Sequence, residues 1–428
     1  MSRLVMLAVL AASAPACIPS KHGGTIALDD GGAKHRDAGD RDLAGADLAG
    51  ADLSGADLAG SPCPAGSSLV RKVACASTAS PAPAALQNAC LTATRSGTIA
   101  APDAEGQLPC LPVRVCRPDD APTLIFSDEP ESPATSGVLY AATVNAGRYR
   151  VYVYHTNGAA SGTRKFSLVA LAEGATDVTV TFGARGVAGP SAAYVATGRA
   201  AASAWLTSGT GSTRTVPAGQ RVVVDQGLDA LRPGPGELVV AQLDFSTDGP
   251  LKLSVVTVDA TTDAAQATAS LPLLPNDGAH QRGTFPGADY LLVPDTADGA
   301  WPVDGVRHLR LGSGDTEPAL TGFDAVDGNA PVTLLGNYGV RYRIAVAGGP
   351  FLFGVSPRGG AWGGAALVPP GLDSAAASLL LPGSGSSLAT PTSMTVLGRW
   401  GAGTSDALDL LSAGGSSLPV DLVSVPLP

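Results

Sequence analysis

Hydrophobic and polar residues alternate in short runs along most of the chain, which is the spacing of β-strands. The alternation is clear in Asp177–Phe182 and recognisable in Arg148–His155, where every second side chain would face the same side of a sheet. Clusters of Gly, Pro and Asp separate such runs and mark turns. The pattern predicts an antiparallel β-sandwich over residues 121–265. Its further strands are expected at Lys165–Ala172, Gln220–Val224, Glu237–Leu243 and Leu251–Val258.

The same pattern resumes after an Ala/Thr-rich passage at Thr261–Ala269 and predicts a second β-sandwich over residues 266–428. Ala192–Ser208, in the first sandwich, is the one stretch in which the pattern admits a helix. The strands of the second sandwich are expected at Tyr290–Val293, Val306–Leu311, Val332–Leu335, Val340–Val346 and Phe351–Val355.

Composition supports this assignment of fold class. The chain contains 54 Gly and 34 Pro, and Ala, Val, Thr and Ser are common while Lys and Glu are few, which disfavours long helices. The predicted fold is all-β: two consecutive antiparallel β-sandwich domains after a small disulfide-rich module and a disordered N-terminal spacer. The 27 basic and 37 acidic residues form no basic cluster, which argues against nucleic acid as a partner.

Residues 1–16 have the pattern of a signal peptide. Arg3 precedes the apolar run Leu4–Ala12, which is shorter than the about 20 residues that a membrane-spanning helix needs. Small residues at Ala14 and Ala16 lead to Cys17. If a lipoprotein peptidase cuts there, Cys17 carries lipid, and that anchor is the only membrane attachment. If an ordinary signal peptidase cuts, the protein is freely secreted and Cys17 is a thiol or half of a disulfide.

Residues 17–62 are predicted to form a disordered acidic linker. Lys21–Gly60 contains no aromatic residue and few aliphatic residues outside a repeat, so it offers little apolar surface to offset its chain entropy. The repeat, Asp42–Ser61, has a five-residue period of the form Asp-Leu-Ala-Gly-Ala. A pentapeptide-repeat β-helix is the alternative, but a repeat fold needs about three stacked units.

Every cysteine after Cys17 lies in residues 63–120, which are predicted to form a disulfide-stapled module. A zinc site is the alternative, but the spacing offers no Cys-x-x-Cys pair and no His lies among the cysteines. The number is odd, so either one thiol is unpaired or Cys17 is the missing partner. The disulfide candidates are Cys63, Cys75, Cys90, Cys110 and Cys116.

Several segments between residues 123 and 370 are distinctive in combination. They are Leu124–Glu131, Gly137–Tyr140, Ala188–Ser191 with Tyr194, Asp244–Pro250, Leu274–Phe285, Gly336–Tyr342 and Ser356–Gly360. Together they resemble a family of uncharacterised exported bacterial β-rich proteins, whose members elsewhere often carry a copper amine oxidase N-terminal-like stalk domain. The resemblance implies an extracellular, cell-envelope setting and assigns no catalytic residue, and no copper chemistry is carried over from it.

Few residues suggest a metal site. Asp277 and His280 could offer a carboxylate and an imidazole to a metal, with His308 as a distant third ligand. The alternative is a polar turn in which His280 bonds to the backbone.

Acidic residues near turns form a second group of candidates. Asp128, Glu129 and Glu131 could pair with Asp244 or Asp248 as glycosidase carboxylates. Acids beside Pro and Gly are more typical of solvated turns. Such turns could also bind calcium through carboxylate and carbonyl oxygens, and no other cofactor is predicted.

Trp362 is the weak candidate for ligand binding. It lies in the glycine-rich stretch Gly359–Gly364, where an exposed ring could stack on a sugar or a peptide. The alternative is a Trp that fills a sandwich core.

Two functions remain open. The favoured one is a non-enzymatic binding or structural module of the cell envelope, which contacts an envelope polymer or a surface protein. The alternative is a secreted hydrolase acting on carbohydrate or peptide. That alternative requires acids or histidines from distant strands to meet in one cleft.

Overall fold

The computed structural model describes residues 63–75, 81–102, 108–209, 211–372 and 374–428, all within one compact unit. The predicted signal peptide, Cys17 and the predicted linker lie outside these residues. The described part is rich in strands, which confirms the all-β class. None of its helices is long and apolar enough to cross a membrane.

The strands expected from the alternation are present to within a few residues, and the longest described helix occupies the stretch in which a helix was admitted. The three shorter described helices lie outside that stretch and were not predicted. The helices are α1 Ala84–Thr92, α2 Tyr194–Thr207, α3 Gln226–Asp229 and α4 Ala264–Ala267. The strands are β1 Ser67–Val73, β2 Thr98–Ala100, β3 Val113–Pro118, β4 Thr123–Ser127, β5 Gly137–Val144, β6 Gly147–Thr156, β7 Arg164–Leu171, β8 Val178–Ser191, β9 Thr213–Val216, β10 Arg221–Val223, β11 Leu238–Thr247, β12 Leu251–Asp259, β13 Arg282–Phe285, β14 Asp289–Pro294, β15 Arg307–Leu311, β16 Thr321–Asp324, β17 Ala330–Thr333, β18 Arg341–Gly348, β19 Phe351–Pro357, β20 Gly364–Val368, β21 Ala377–Leu381, β22 Ser393–Trp400, β23 Thr404–Ser412 and β24 Val420–Pro426.

The described strands form four sheets. An eight-stranded sheet has the order β17-β16-β13-β4-β6-β11-β8-β9, and a seven-stranded sheet has the order β1-β3-β14-β18-β23-β20-β21. A five-stranded sheet, β15-β24-β19-β22-β2, and a four-stranded sheet, β10-β7-β12-β5, complete the fold. Most pairs are antiparallel, but β4 runs parallel to β6 and β14 runs parallel to β18.

Strand pairing crosses both of the boundaries predicted between domains. β4 pairs with β6 on one side and with β13 on the other, so one sheet joins residues before and after residue 265. β3, from the cysteine-rich segment, pairs with β14. Hydrogen bonds between strands far apart in sequence therefore unite the three segments.

The central strands of the eight-stranded sheet, β6 and β11, are buried on both faces. Side chains alternate between the faces of a strand, and Tyr152 and Val240 pack into one apolar cluster while Val151 and Val239 pack into another. The first cluster also contains residues of the seven- and five-stranded sheets, and the second contains residues of the four-stranded sheet. The eight-stranded sheet therefore lies between two apolar layers.

Two disulfides connect the N-terminal part of the cysteine-rich segment to β3 and the residues just before it. They join Cys63 to Cys116 and Cys75 to Cys110, which confirms a disulfide-stapled module and indicates a non-cytoplasmic, oxidising location. Cys90, on α1, is free and fully buried, and burial raises the pKa of its thiol to about 11. The inclusion of Cys90 among the disulfide candidates is thereby corrected, because its sulfur is a packed apolar group.

Candidate functional site

The turn that carries Asp277 and His280 is organised by the Asp277 side chain. Asp277 Oδ1 accepts hydrogen bonds from the backbone N of Ala279 at 2.9 Å and of His280 at 3.0 Å. Gly278 adopts a φ of +72°, in the left-handed region that favours glycine. The Asp-Gly sequence therefore folds into a turn that brings the ring of His280 back over the Asp277 carboxylate.

The imidazole of His280 is held between two carboxylates, an arrangement called here the histidine clamp. Its Nδ1 lies 2.8 Å from Asp277 Oδ2 and its Nε2 lies 2.6 Å from Glu131 Oε2. The backbone N of Glu131 also donates to Asp277 Oδ2 at 3.0 Å. The clamp thus joins the turn to the segment that follows β4.

Electrostatics keeps His280 protonated at neutral pH. The hydrogen bond to Glu131 raises the pKa of His280 by more than burial lowers it. The hydrogen bond to Asp277 raises it further, and the resulting pKa is about 9. Burial opposes ionisation of Asp277, but hydrogen bonds from the backbone N of Ala279 and Glu131 and from His280 lower its pKa to about 2. The clamp is therefore an ion pair at neutral pH, with both ring nitrogens acting as donors.

The structure brings together two of the three candidate metal ligands, but not as ligands. Asp277 and His280 are bonded to each other, and a protonated imidazole has no lone pair for a metal. His308 lies on β15 opposite Val423 of β24, in the five-stranded sheet. Among the described residues, no group of three His, Cys, Asp or Glu side chains is arranged to hold a metal ion. Calcium binding at the acidic turns stays a prediction.

A cavity of about 420 Å³ opens beside the clamp. Phe126, Asp128, His280, Leu335 and Tyr338 are among its lining residues. Leu335 is 67% exposed, so the cavity has an apolar rim. Its volume falls within the range of about 300–1,000 Å³ typical of small-molecule sites.

Asp128 is the unusual group in this cavity. Its Oδ1 is buried without a hydrogen-bond partner in the described part of the chain. Burial, reinforced by the charge of Glu131, raises its pKa well above the usual range, although His280 opposes the rise. A carboxyl group that retains its proton can donate that proton to a ligand.

The other acids named from the sequence lie near partners of their own. Asp244 binds Arg150, at 2.8 Å between Oδ1 and Nε. Asp248 accepts a hydrogen bond from the backbone N of Thr179 at 2.7 Å. Glu129 lies 4.0 Å from Arg282, which binds Asp324 more closely at 3.0 Å. The Glu129 carboxylate also lies beside the backbone of Gly278, in the turn of the clamp, whereas Asp244 and Asp248 have their partners elsewhere.

Trp362 is fully buried at 0% exposure, and its Nε1 donates to Ser412 Oγ at 3.1 Å. Burial confirms the alternative of a Trp that fills the core and removes Trp362 as a candidate for ligand binding. The neighbouring glycine makes room for the ring, since a Cβ on Gly364 would lie only 2.7 Å from the Trp362 indole. Glycine here permits burial and does not signal exposure.

A buried arginine was not anticipated from the sequence. Arg150, 1% exposed, donates to both oxygens of Asp244 and to Asp289 Oδ1, at 2.8 to 3.0 Å. It also donates to the carbonyls of Ala288 and Gly339. Burial alone would lower its pKa, but the two carboxylates raise it. The sequence signal was weak: Arg150 is a charged residue between Tyr149 and Val151 in a Tyr- and Val-rich strand.

No protein-family model and no curated protein sequence matches this chain. Among solved structures, the similarities are weak. Oxalate decarboxylase of Lactobacillus farciminis has 8% identity over 79% of this chain and 87% of its own, with a TM-score of 0.15. Oxalate decarboxylase from Bacillus subtilis has 8% identity over 71% and 76%, with a TM-score of 0.12. Vicilin from Corylus avellana has 10% identity over 73% and 85%, with a TM-score of 0.11. Scores this low support no inference about fold or chemistry.

Proposed function

We propose that this chain is an exported cell-envelope protein, anchored by lipid on Cys17, whose β-rich body is a non-enzymatic binding or structural module. The proposed partner is an envelope polymer or a surface protein. The resemblance of residues 123–370 to uncharacterised exported bacterial proteins agrees with this setting.

The observation that carries the anchoring is the pairing of the cysteines. Cys63, Cys75, Cys110 and Cys116 pair among themselves. Cys90 is enclosed by apolar residues such as Met394 and Val423, where another thiol would have to displace packed core to reach it. Cys17 therefore has no disulfide partner available in the described residues, which favours the lipid over the sixth-cysteine alternative.

The histidine clamp supports a non-catalytic role. His280 lines the cavity beside the clamp, and both of its ring nitrogens are bonded to carboxylates. A general base needs a neutral imidazole with a free nitrogen. The pKa of about 9 keeps His280 protonated in the range where such a base would have to work.

One observation favours the hydrolase alternative, and it concerns Asp128. Its unpartnered Oδ1 and raised pKa would suit a general acid at the cavity beside the clamp. An Asp128→Asn variant tests this directly. If hydrolysis of a panel of glycans and peptides is detected and lost in D128N, the alternative replaces the non-enzymatic proposal; no turnover by the wild type supports the module.

Fractionation of cells expressing the full chain tests the anchor. The wild type is expected in the membrane fraction, and Cys17→Ser is expected in the soluble exported fraction, because a lipid cannot be attached to serine. Cys90→Ala is the matched control, since it removes a cysteine that is free and buried, and it should remain with the membrane. A wild type that fractionates as soluble would refute the anchor.

A further inference from the structure

A second cavity, of about 660 Å³, lies at the β9 end of the eight-stranded sheet, between β8, β9 and the start of α3. We call it the arginine cavity. Phe182 and Arg185 of β8, Arg214 of β9, and Asp225 and Gln226 at α3 are among its lining residues. It is larger than the cavity beside the histidine clamp and shares no residue with it.

Arg185 is anchored on one side and open on the other. Its Nε and Nη2 donate to the two oxygens of Asp225 at 2.6 and 2.9 Å. Asp225 is in turn fixed by the backbone N of Leu228, which donates to it at 2.7 Å. Arg185 Nη1 has no hydrogen-bond partner among the described residues, so a held guanidinium presents a free donor at the cavity.

Arg214 is held less firmly. Its Nη1 donates to the carbonyl of Val224 at 3.4 Å, and the side-chain amide of Gln226 lies 3.3 Å from both Nη1 and Nη2. Neither contact is to a carboxylate. The positive charge of Arg214 is therefore not neutralised by an ion pair in the described structure.

The arginine cavity carries positive charge in a protein that is negatively charged as a whole. The lining holds two arginines and one aspartate, which leaves one positive charge in a chain whose formal net charge is −10. A negatively charged protein repels anions in general, so an anion would be held only where local positive charge and directed donors converge.

The remaining lining residues indicate what kind of anion would fit. Phe182 and Val224 supply apolar surface, whereas Ser212, Thr213 and Gln226 supply hydroxyl and amide groups. The volume exceeds what a lone carboxylate or phosphate needs and suits a ring-bearing ligand. Arginine binds planar carboxylates well because its fork of donors matches their geometry.

We propose that the arginine cavity binds a carboxylated sugar unit, such as a uronic acid residue of an envelope polysaccharide. The carboxylate is bound by Arg214 and the free Nη1 of Arg185, the hydroxyls by Gln226 and the nearby hydroxyl side chains, and the ring packs on Phe182. This inference rests on the proposed binding function, to which it gives a ligand class.

Calorimetry on the detergent-solubilised full chain tests this assignment, with digalacturonate as the charged probe and the neutral galactose disaccharide and acetate as comparisons. Wild type is expected to bind digalacturonate at least ten-fold more tightly than either comparison, with affinity falling as salt rises. Arg214→Gln should weaken binding at least ten-fold. The matched control is Arg221→Gln, which removes the same charge from an exposed residue on β10 that does not line the cavity.

Several outcomes would overturn the assignment: no binding of digalacturonate, equal binding of the neutral disaccharide or of acetate, or equal losses in R214Q and R221Q. Thermal melting of both variants checks that they fold. A membrane-anchored protein that does not bind digalacturonate would refute this inference but not the anchor. A protein that binds the uronide but carries an unmodified Cys17 would refute the anchor alone.

Discussion

Arg150 and Arg214 lie on the same eight-stranded sheet, but the structure uses their charges in opposite ways. Arg150 is enclosed, and Asp244, Asp289 and two carbonyls accept all of its hydrogen bonds. Arg214 lines a cavity, and its guanidinium contacts only the carbonyl of Val224 and the side-chain amide of Gln226 among the described residues. The difference separates charges that build the fold from charges available to a ligand. Substitutions at the two sites should therefore separate stability from binding.

The largest expected loss of stability follows from substitution of Arg150. Arg150→Met leaves Asp244 and Asp289 without their shared cation, and breaking a buried ion pair by removing one partner costs about 3–5 kcal/mol of unfolding free energy. Chemical denaturation monitored by tryptophan fluorescence measures the loss. A cost below about 1 kcal/mol would mean that the Arg150 charge does not stabilise the interior.

Arg148→Met is the matched control for that experiment. Arg148 lies two positions earlier on β6, is 55% exposed and pairs with the exposed Asp120. Exposed ion pairs contribute about 0–1 kcal/mol, so this variant should denature nearly as the wild type does.

The histidine clamp should give a smaller, pH-dependent effect. The folded-state pKa of His280, about 9, lies above its ordinary value of 6.5, so the stabilisation is complete below pH 6.5 and is lost as pH rises through 9. Because the side chain is 35% exposed, screening by solvent should limit the loss to under about 1 kcal/mol. The melting temperature of wild type minus that of His280→Gln should therefore fall between pH 6.5 and 9, and a constant difference would contradict the clamp.

The smallest expected effect on stability is at Arg214. Because its contacts are to a carbonyl and an amide near the surface, Arg214→Gln should change the unfolding free energy by less than about 0.5 kcal/mol, although it weakens uronide binding. A loss comparable to that of R150M would place Arg214 among the charges that build the fold, and the distinction between the two sites would fail.

Local pattern was enough to predict the strands but not how they pair. β6 and β15 agree with the predicted Arg148–His155 and Val306–Leu311 to within a residue or two, because side-chain alternation is a property of neighbours in sequence. The pairing of β4 with β13 depends on hydrogen bonds between segments far apart in the chain. The alternation of hydrophobic and polar residues does not predict which distant strands pair.

The candidate sites show the same limit. The Asp277–His280 turn was visible in the sequence, but Glu131, which completes the clamp, is 146 positions from Asp277. The disulfides were expected, yet only the packing of α1 shows that Cys90 is the unpaired thiol. For Trp362 the sequence left both exposure and burial open, and only the packing shows that the neighbouring glycine gives the ring space in the core.

The most direct test of the anchored module is the intact mass of the protein purified from membranes, after alkylation of native and of unfolded samples. We expect a lipid-sized mass gain at Cys17, two disulfides, and one thiol, Cys90, that is alkylated only after unfolding. A species beginning at an unmodified Cys17, or one with Cys17 disulfide-bonded to Cys90, would contradict it.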